Sequence, residues 1–367
     1  MTIATSLFAD MVEERYRIER IDTSYGIIKP SRVGWDQLKY YLEFSVGFLQ
    51  RLQRLRERIQ DPSVDSLYIV ASPSTPGLMR NVLAVAIARP YVGQIVAHVH
   101  NGNYRQIFEQ PIMSKGARYL GRSVDRFIFL SEILSERLSP HIPPPKRYIV
   151  RNTIDPEVRC TGEEVHEKIQ TRSQRDTLRL LFLSNMIPSK GYMDVARAIS
   201  RLRSGSSSLN VHADFIGDWP DEQHRSEFHT FLVREGIRDA VTVHGRVSRR
   251  ATIKAVLLDA DIFLLPTYYP NEAQPLSIIE AMNAATPVVS TEHASIPEYV
   301  IDGKNGCLVG KQSPTEIAEA VQKLADQSVW EEKARHARDT YEEMHSPSSV
   351  KQQFFRALGL RDQGGAE

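Results

Sequence analysis

Pro270-Asn271-Glu272-Ala273-Gln274-Pro275-Leu276-Ser277-Ile278-Ile279-Glu280-Ala281-Met282 joins two carboxylates through a loop and the first turn of a helix. Pro275 fixes its own φ and gives up an amide that would lack a partner at a helix start, so the spacing predicts a helix beginning near Leu276. The free amides of that first turn face an anion. Glu280 falls four residues beyond Leu276, on the same face one turn further in, where a carboxylate can accept hydrogen bonds from the vicinal hydroxyls of a ribose. Glu272 stays on the loop. A diphosphate held between the two acids would put the nucleoside at Glu280 and a sugar toward Glu272. Two solvated acids flanking an ordinary helix give the same spacing, so the neighbouring loops must decide.

From residue 178 onward, Leu178 to Leu183, Val211 to Ile216, Val241 to Val243, Ile262 to Leu265 and Pro287 to Val289 read as buried strands with helical stretches between them. Strand-helix alternation with short loops means parallel strands and right-handed crossovers, with ligands gathering at the strands' carboxyl ends. The last helix of the set carries start signals: Ser313 as N-cap, Pro314 at N1 and Glu316 closing a capping box, with Ile317, Ala320, Val321 and Leu324 on one face. The first carboxyl end runs into Ser184-Asn185-Met186-Ile187-Pro188-Ser189-Lys190-Gly191, which presents a lysine just before a helix, where it can neutralise a phosphate. Gly217-Asp218-Trp219-Pro220 and His244-Gly245-Arg246-Val247 follow the next two strands, and their glycines let a planar base approach the main chain. Pro266-Thr267 feeds the Glu272 loop. An ammonium, two glycines and a pair of carboxylates therefore collect on one edge of one sheet.

With those residues in view, the stretch from about 178 to 326 resembles the nucleotide-binding domain of the family-4 retaining glycosyltransferases, glycosyl transferases group 1 of the GT-B fold. In that family an acid, seven residues and a second acid stand where Glu272 and Glu280 stand, and a lysine-glycine pair stands where Lys190-Gly191 stands. The resemblance implies an α/β protein of two Rossmann-like domains facing across a cleft. It assigns Glu280 to the ribose, Lys190 to the diphosphate, the main chain from Gly245 to Val247 to the base and Glu272 to the orientation of the donor sugar. The donor-binding set is then Asn185, Lys190, Gly217, Gly245, Val247, Gln274, Leu276, Ser277 and Glu280, with Glu272, Lys190 and His100 as the catalytic group. Many members carry Gly-Arg where this chain has Ser184-Asn185. Asn185 has no charge, so either Lys190 and the helix N-terminus suffice or another base such as Arg246 substitutes, unless Arg246 is a solvated loop residue.

The first half also mixes strands and helices, with Ser66 to Ala71, Ile95 to Val99, Arg126 to Leu130 and Tyr148 to Val150 as strands. His98-Val99-His100-Asn101-Gly102-Asn103 ends a strand and enters a turn, so His100 is expected to project toward the cleft. A metal pair or a core histidine is the competing account of the two histidines, and in the resembling family a histidine here contacts the donor sugar. His98 reads as structural. Phe129-Leu130-Ser131-Glu132 matches a strand-end signature of the family, with Ser131 as an N-cap, and Arg151-Asn152-Thr153-Ile154-Asp155 resembles the segment before the interdomain linker. The chain opens with Thr2-Ile3-Ala4-Thr5-Ser6-Leu7-Phe8-Ala9, which resembles the helix following the family's glycine-rich loop, so the N-terminal domain is read as lacking its first strand and Met1 as an internal methionine. Domain boundaries follow: 1–155, a linker region at 156–177 where polar sequence lacks apolar periodicity, 178–329, and a C-terminal helix at 330–360, from about Trp330 to Leu358, which the resemblance returns to the first domain.

Composition narrows the partners. A chain of 367 residues allows roughly two domains of about 150 residues each. Lys plus Arg is 46 against 45 acids, a net charge of +1, so no global field argues for nucleic acid. Two cysteines, Cys160 and Cys307, make neither a disulfide framework nor a four-cysteine metal site. No apolar run reaches the roughly 18 residues of a membrane span and Met1 opens no signal sequence, so a cytoplasmic location is expected. Arg51, Arg54, Arg56 and Arg58 lie beside Phe44, Phe48, Leu52, Leu55 and Ile59. That pattern reads as a core-facing helix with a solvated face, or as a basic amphipathic helix on an anionic membrane. Asp259-Ala260-Asp261 precedes a strand and is read as helix-end and strand-start chemistry, not a metal pair.

The expected activity is transfer of a sugar from a nucleoside diphosphate sugar to a hydroxyl acceptor, glycan or lipid-linked, with retention, without a metal and without a cofactor beyond the donor itself, as in polysaccharide biosynthesis. An epimerase or phosphorylase on the same fold, or an inactive GT-B partner subunit, is the alternative.

Overall fold

Leu178-Arg179-Leu180-Leu181-Phe182-Leu183 is too apolar for a half-exposed strand, and the run forms an interior strand of a wholly parallel sheet covered by helices. The computed structural model describes residues 50–204 and 209–360, together with Phe8, Met11, Glu13, Arg17, Ile18 and Gly47. The chain divides into two units: the first takes residues up to Leu130, then Ser135–Val150 and Lys351 onward; the second takes Ser131–Leu134 and Arg151–Val350.

In the first unit, β1 (Ser66–Ala71), β2 (Gln94–Val99), β3 (Arg126–Phe129) and β4 (Arg147–Ile149) pair in that order, all parallel. Helices α1 (Thr75–Ala88) and α2 (Pro111–Ser123) are the crossovers, and Val85, Ile95, Ala117 and Phe127 are wholly buried between the layers. Residues 51–59 are helical, with Leu55 and Ile59 buried and Arg54, Arg56 and Arg58 exposed, the core-facing arrangement with a solvated face. Phe44, Phe48 and all of Thr2–Ala9 except Phe8 lie outside the described residues, and with them the expectations about a missing first strand and the chain start.

The second unit carries β5 (Leu178–Leu183), β6 (Val211–Ile216), β7 (Val241–Gly245), β8 (Ile262–Leu265), β9 (Val288–Thr291) and β10 (Gly306–Val309), with helices that include α3 (Gly162–Arg172), α4 (Tyr192–Ser204), α5 (Glu222–Arg234), α6 (Arg250–Asp259) and α7 (Leu276–Asn283). Their spatial order is β10-β9-β8-β5-β6-β7. Chain order thus runs outward from β5 in one direction, then jumps to β8 and runs outward in the other. The loops leaving β5 and β8 lie side by side at that switch point, the carboxyl-end position where open α/β sheets bind ligands.

Three expectations need correction. Residues 156–177 are no linker: after a short turn at Pro156–Val158, α3 (Gly162–Arg172) starts from a capping box of Thr161 and Glu164 and packs Val165 and Ile169 into the core of the second unit. Its polar sequence misled because the apolar face is narrow and a lysine fills part of it. The stretch from Trp330 to Leu358 is two helices, Gln327–Met344 and Pro347–Leu358, broken at His345-Ser346. Trp330 is wholly buried in the second unit, where its indole donates to the Asp261 carbonyl at 2.7 Å. Ser313 precedes the helix Pro314–Ala325 but caps no amide with its side chain. Glu316 instead accepts from the Gly310 amide at 2.7 Å and the Ser313 hydroxyl at 2.9 Å.

Lys168 is buried on α3, and its ammonium donates to the carbonyls of Leu257 and Ala284 and to Thr286 Oγ1 at 3.1, 2.8 and 2.6 Å. Burial pulls its pKa down to about 7, so between about pH 7 and 10 the unfolded chain binds more protons at this site than the folded one. This group's contribution to stability must therefore grow as pH rises through that window. Urea midpoints of wild type and Lys168→Met measured across it should diverge progressively in that sense; parallel curves would show that Lys168 titrates normally.

Candidate functional site

Gly191 explains the lysine-glycine pair. Its φ is +85°, and a Cβ there would stand 2.6 Å from the Pro266 carbonyl oxygen, so only glycine lets the loop after β5 fold down against the end of β8. The main chain seals the approach: Tyr268 N donates to Ser189 O at 2.8 Å. Lys190 is thereby delivered to the Glu272 loop. Its Nζ lies 2.5 Å from Glu272 Oε2 and 5.0 Å from the centre of the Tyr269 ring. Glu272 is buried, and the same oxygen accepts from Thr267 Oγ1 at 3.1 Å. The two residues assigned from sequence to phosphate and sugar are thus brought together at the strand-order reversal.

Leu276–Asn283 (α7) begins after Pro275, as the spacing predicts, and buries Ile278, Ile279, Ala281 and Met282. A helix this apolar is fixed by its surroundings, so its first-turn amides, Leu276 and Ser277 among them, are held in place at a half-buried edge. Glu280 is buried one turn further in, and its Oε1 accepts from Arg250 Nη2 at 2.6 Å. Burial raises the Glu280 pKa, Arg250 opposes that rise and nearby Asp155 adds to it. Each carboxylate of the pair therefore has its own cation, Lys190 for Glu272 and Arg250 for Glu280.

The remaining predicted residues divide. Asn185 is exposed on the loop after β5, with its carbonyl accepting from the Ile187 amide at 2.7 Å. Gly245 has open space where a Cβ would project, and Val247 is half-buried against the core. Gly217 has a packing reason to be glycine: its Cβ would meet Ser184 O at 1.8 Å, so the chain leaving β6 can lie this close to the end of β5 only without a side chain. Gln274 is engaged within the protein, its Oε1 accepting from the Asn152 amide at 2.7 Å while its carbonyl takes Asn152 Nδ2 at 3.2 Å. Arg246 is exposed with Asp218 at 3.5 Å. Asp261 is buried and accepts from the Arg179 amide at 2.7 Å, the strand-start role read from sequence.

His100 belongs to the first unit. It is half-buried and lies against His98 with ring centres 4.0 Å apart and the planes tilted by 31°, and burial pulls its pKa down to about 4, so it is neutral at physiological pH. His98 is fully buried, with Nδ1 2.5 Å from the Tyr68 hydroxyl, the structural role expected of it. Ser131 Oγ accepts from the Leu134 amide at 3.1 Å and caps as predicted. The sequence reading missed Arg250, Tyr269, Thr267 and Asp155. Arg250 had a signal: an arginine in the first turn opposes the helix dipole, so Arg249-Arg250 at the start of α6 (Arg250–Asp259) invites a partner elsewhere.

Residues 177–327 match the family described as Glycosyl transferases group 1. The chain is 26% identical over 204 residues to the putative colanic acid biosynthesis glycosyltransferase WcaL of Salmonella typhimurium, covering 54% of this chain and 47% of that protein. It is 28% identical over 189 residues to the D-inositol 3-phosphate glycosyltransferase of Stackebrandtia nassauensis, covering 49% and 41% respectively. The chain thus spans under half the length of both relatives. Among solved structures, Anabaena Alr3699/HepE in complex with UDP superposes with a TM-score of 0.70 at 19% identity, over 86% of this chain and 84% of that one. WaaG, a glycosyltransferase involved in lipopolysaccharide biosynthesis, gives 0.57 at 17% identity over 84% and 96%. The two parallel-sheet units have the GT-B architecture.

The Lys190–Glu272 pair generates a test of the geometry alone. Lys190→Met leaves Glu272 buried with Thr267 as its remaining partner and should cost about 3 kcal/mol in urea denaturation. Adding Glu272→Gln should recover most of that loss. Additive losses in the double variant would mean the two side chains do not pair.

Proposed function

We propose that this chain, whose residues 177–327 match the family described as Glycosyl transferases group 1, is a retaining, metal-independent glycosyltransferase that moves a sugar from a nucleoside diphosphate donor to a hydroxyl of a glycan or lipid-linked acceptor. The observation that carries the reading is the meeting of Lys190 and Glu272 at the strand-order reversal, next to a buried helix whose free N-terminus follows Pro275. Charge grows on the diphosphate as the glycosidic bond breaks. Lys190 and the amides of Leu276 and Ser277 stabilise it most in the transition state.

Glu280 takes the ribose hydroxyls and Glu272 orients the sugar. The acceptor proton passes to the departing phosphate on the same face, since neither carboxylate is needed as a nucleophile. His100 as a sugar contact rests on the family resemblance. No cofactor beyond the donor is required. Alr3699/HepE is described in complex with UDP and with UDP-glucose, which makes UDP-glucose the first donor to try. The named roles of the similar proteins, in colanic acid and lipopolysaccharide biosynthesis, point to a glycan or polysaccharide as product.

Assays with a panel of nucleotide sugars and glycan acceptors should show transfer that EDTA does not diminish, with the donor's anomeric configuration kept in the product by NMR. Lys190→Ala should lower kcat by about 100-fold or more, and Glu280→Ala should weaken donor binding by about tenfold or more. Wild-type rates in both variants would end the assignment, and an inverted product would end the retaining part of it.

A further inference from the structure

Arg250 performs no task in the reaction as proposed above, yet it is the most constrained cation near Glu280. Its Nη2 lies 2.6 Å from Glu280 Oε1 and its Nε 3.3 Å from Asp155 Oδ2. Asp155 is itself held, its other oxygen accepting from the Glu157 amide at 2.9 Å. One guanidinium thus joins three elements of the second unit: the chain before the turn at Pro156–Val158, the first turn of α6 and the middle of α7. An arginine opposing the dipole of its own helix is retained at a cost, and its rigid planar head spans two carboxylates through separate nitrogens, which a lysine's single ammonium on a flexible stem does not.

We propose that Arg250 is a positioning residue of the donor site, which keeps Glu280 ionised and turned so that one of its oxygens stays available to the ribose hydroxyls. This rests on the glycosyl-transfer reading of Glu280. A carboxylate has about four acceptor positions, and Arg250 takes one oxygen, Oε1, leaving Oε2 for a ligand. Without the guanidinium, the buried Glu280 would keep Asp155 as its charged neighbour among the described residues and would be driven toward its protonated form, which is a donor on one oxygen and a poorer acceptor for two hydroxyls.

The sign of the effect is fixed. Losing Arg250 raises the pKa of Glu280 further, so nucleotide affinity must fall as pH decreases through the new value, while wild type stays flatter over the same range. Calorimetry of the whole chain with UDP, GDP and ADP between about pH 5.5 and 8 tests this, since one unit of pKa is a factor of ten in the fraction ionised. For whichever nucleotide wild type binds, Arg250→Met should bind it tenfold or more weakly at the acid end, with the deficit shrinking toward the alkaline end. Arg250→Lys, which restores the charge without the fork, should restore the flat profile while keeping part of the affinity loss. Wild-type affinity in Arg250→Met, or a loss independent of pH, overturns the role of Arg250 and leaves the glycosyl-transfer reading standing. Failure of wild type to bind any of the three nucleotides overturns that reading, and the inference with it.

Discussion

The reversal of strand order between β5 and β8 is the constraint on which the rest of the second unit depends. It brings the loops leaving β5 and β8 side by side, and the ammonium of Lys190 joins them through the carboxylate of Glu272 at 2.5 Å. Every neighbouring feature serves that junction. Gly191 removes a side chain that would strike Pro266, Ser189 receives the Tyr268 amide, and Thr267 supplies Glu272 with a second partner. A buried ion pair contributes little net stability unless its geometry and hydrogen bonds are complete. Here the printed bonds converge on one oxygen, Glu272 Oε2, which takes both Lys190 Nζ and Thr267 Oγ1, and this fits a pair kept for placement of charge more than for stability.

Behind the edge stands a rigid platform. Helix α7 is buried nearly all round, and its C-terminal Asn283 accepts from the Cys160 amide and from Arg338 while donating to Val158 O. Gln274, just ahead of the helix, is fastened to Asn152, whose carbonyl in turn takes His345 Nδ1 at 2.8 Å. Burial pulls the pKa of His345 down to about 4, so that imidazole is a neutral donor across the physiological range. Side chains at the helix start are therefore set by packing several residues away, which is what precise placement of a few polar groups demands.

Much of this was legible in the sequence because it is written locally. Five of the six strands of the second sheet are short apolar runs bounded by turn residues, and Pro275 marks its helix without reference to anything distant. The strand Gly306–Val309 was missed because four residues after a turn carry too little pattern. The helix at Gly162–Arg172 was missed because Lys168, a residue normally read as exposed, is an interior one with three carbonyl and hydroxyl partners drawn from residues 257, 284 and 286. The roles of Glu272, Lys190 and Glu280 came from spacing and resemblance. The pairing of Lys190 with Glu272, and of Glu280 with Arg250, depends on which loops the topology brings together, and no local window holds that information. Gln274 and Gly217 also have tasks inside the fold that no local window discloses, a hydrogen bond to Asn152 and a close approach to Ser184.

The internal pairing of Lys190 has a kinetic corollary under the proposed activity. A diphosphate that reaches this lysine must compete with an anion tethered to the same edge, whose effective concentration is set by the chain and not by the surroundings. The spent nucleotide meets the same rival on its way out. An empty site that is already electrically satisfied holds its leaving product less tightly than a bare ammonium would, and stray inorganic anions gain little by occupying it.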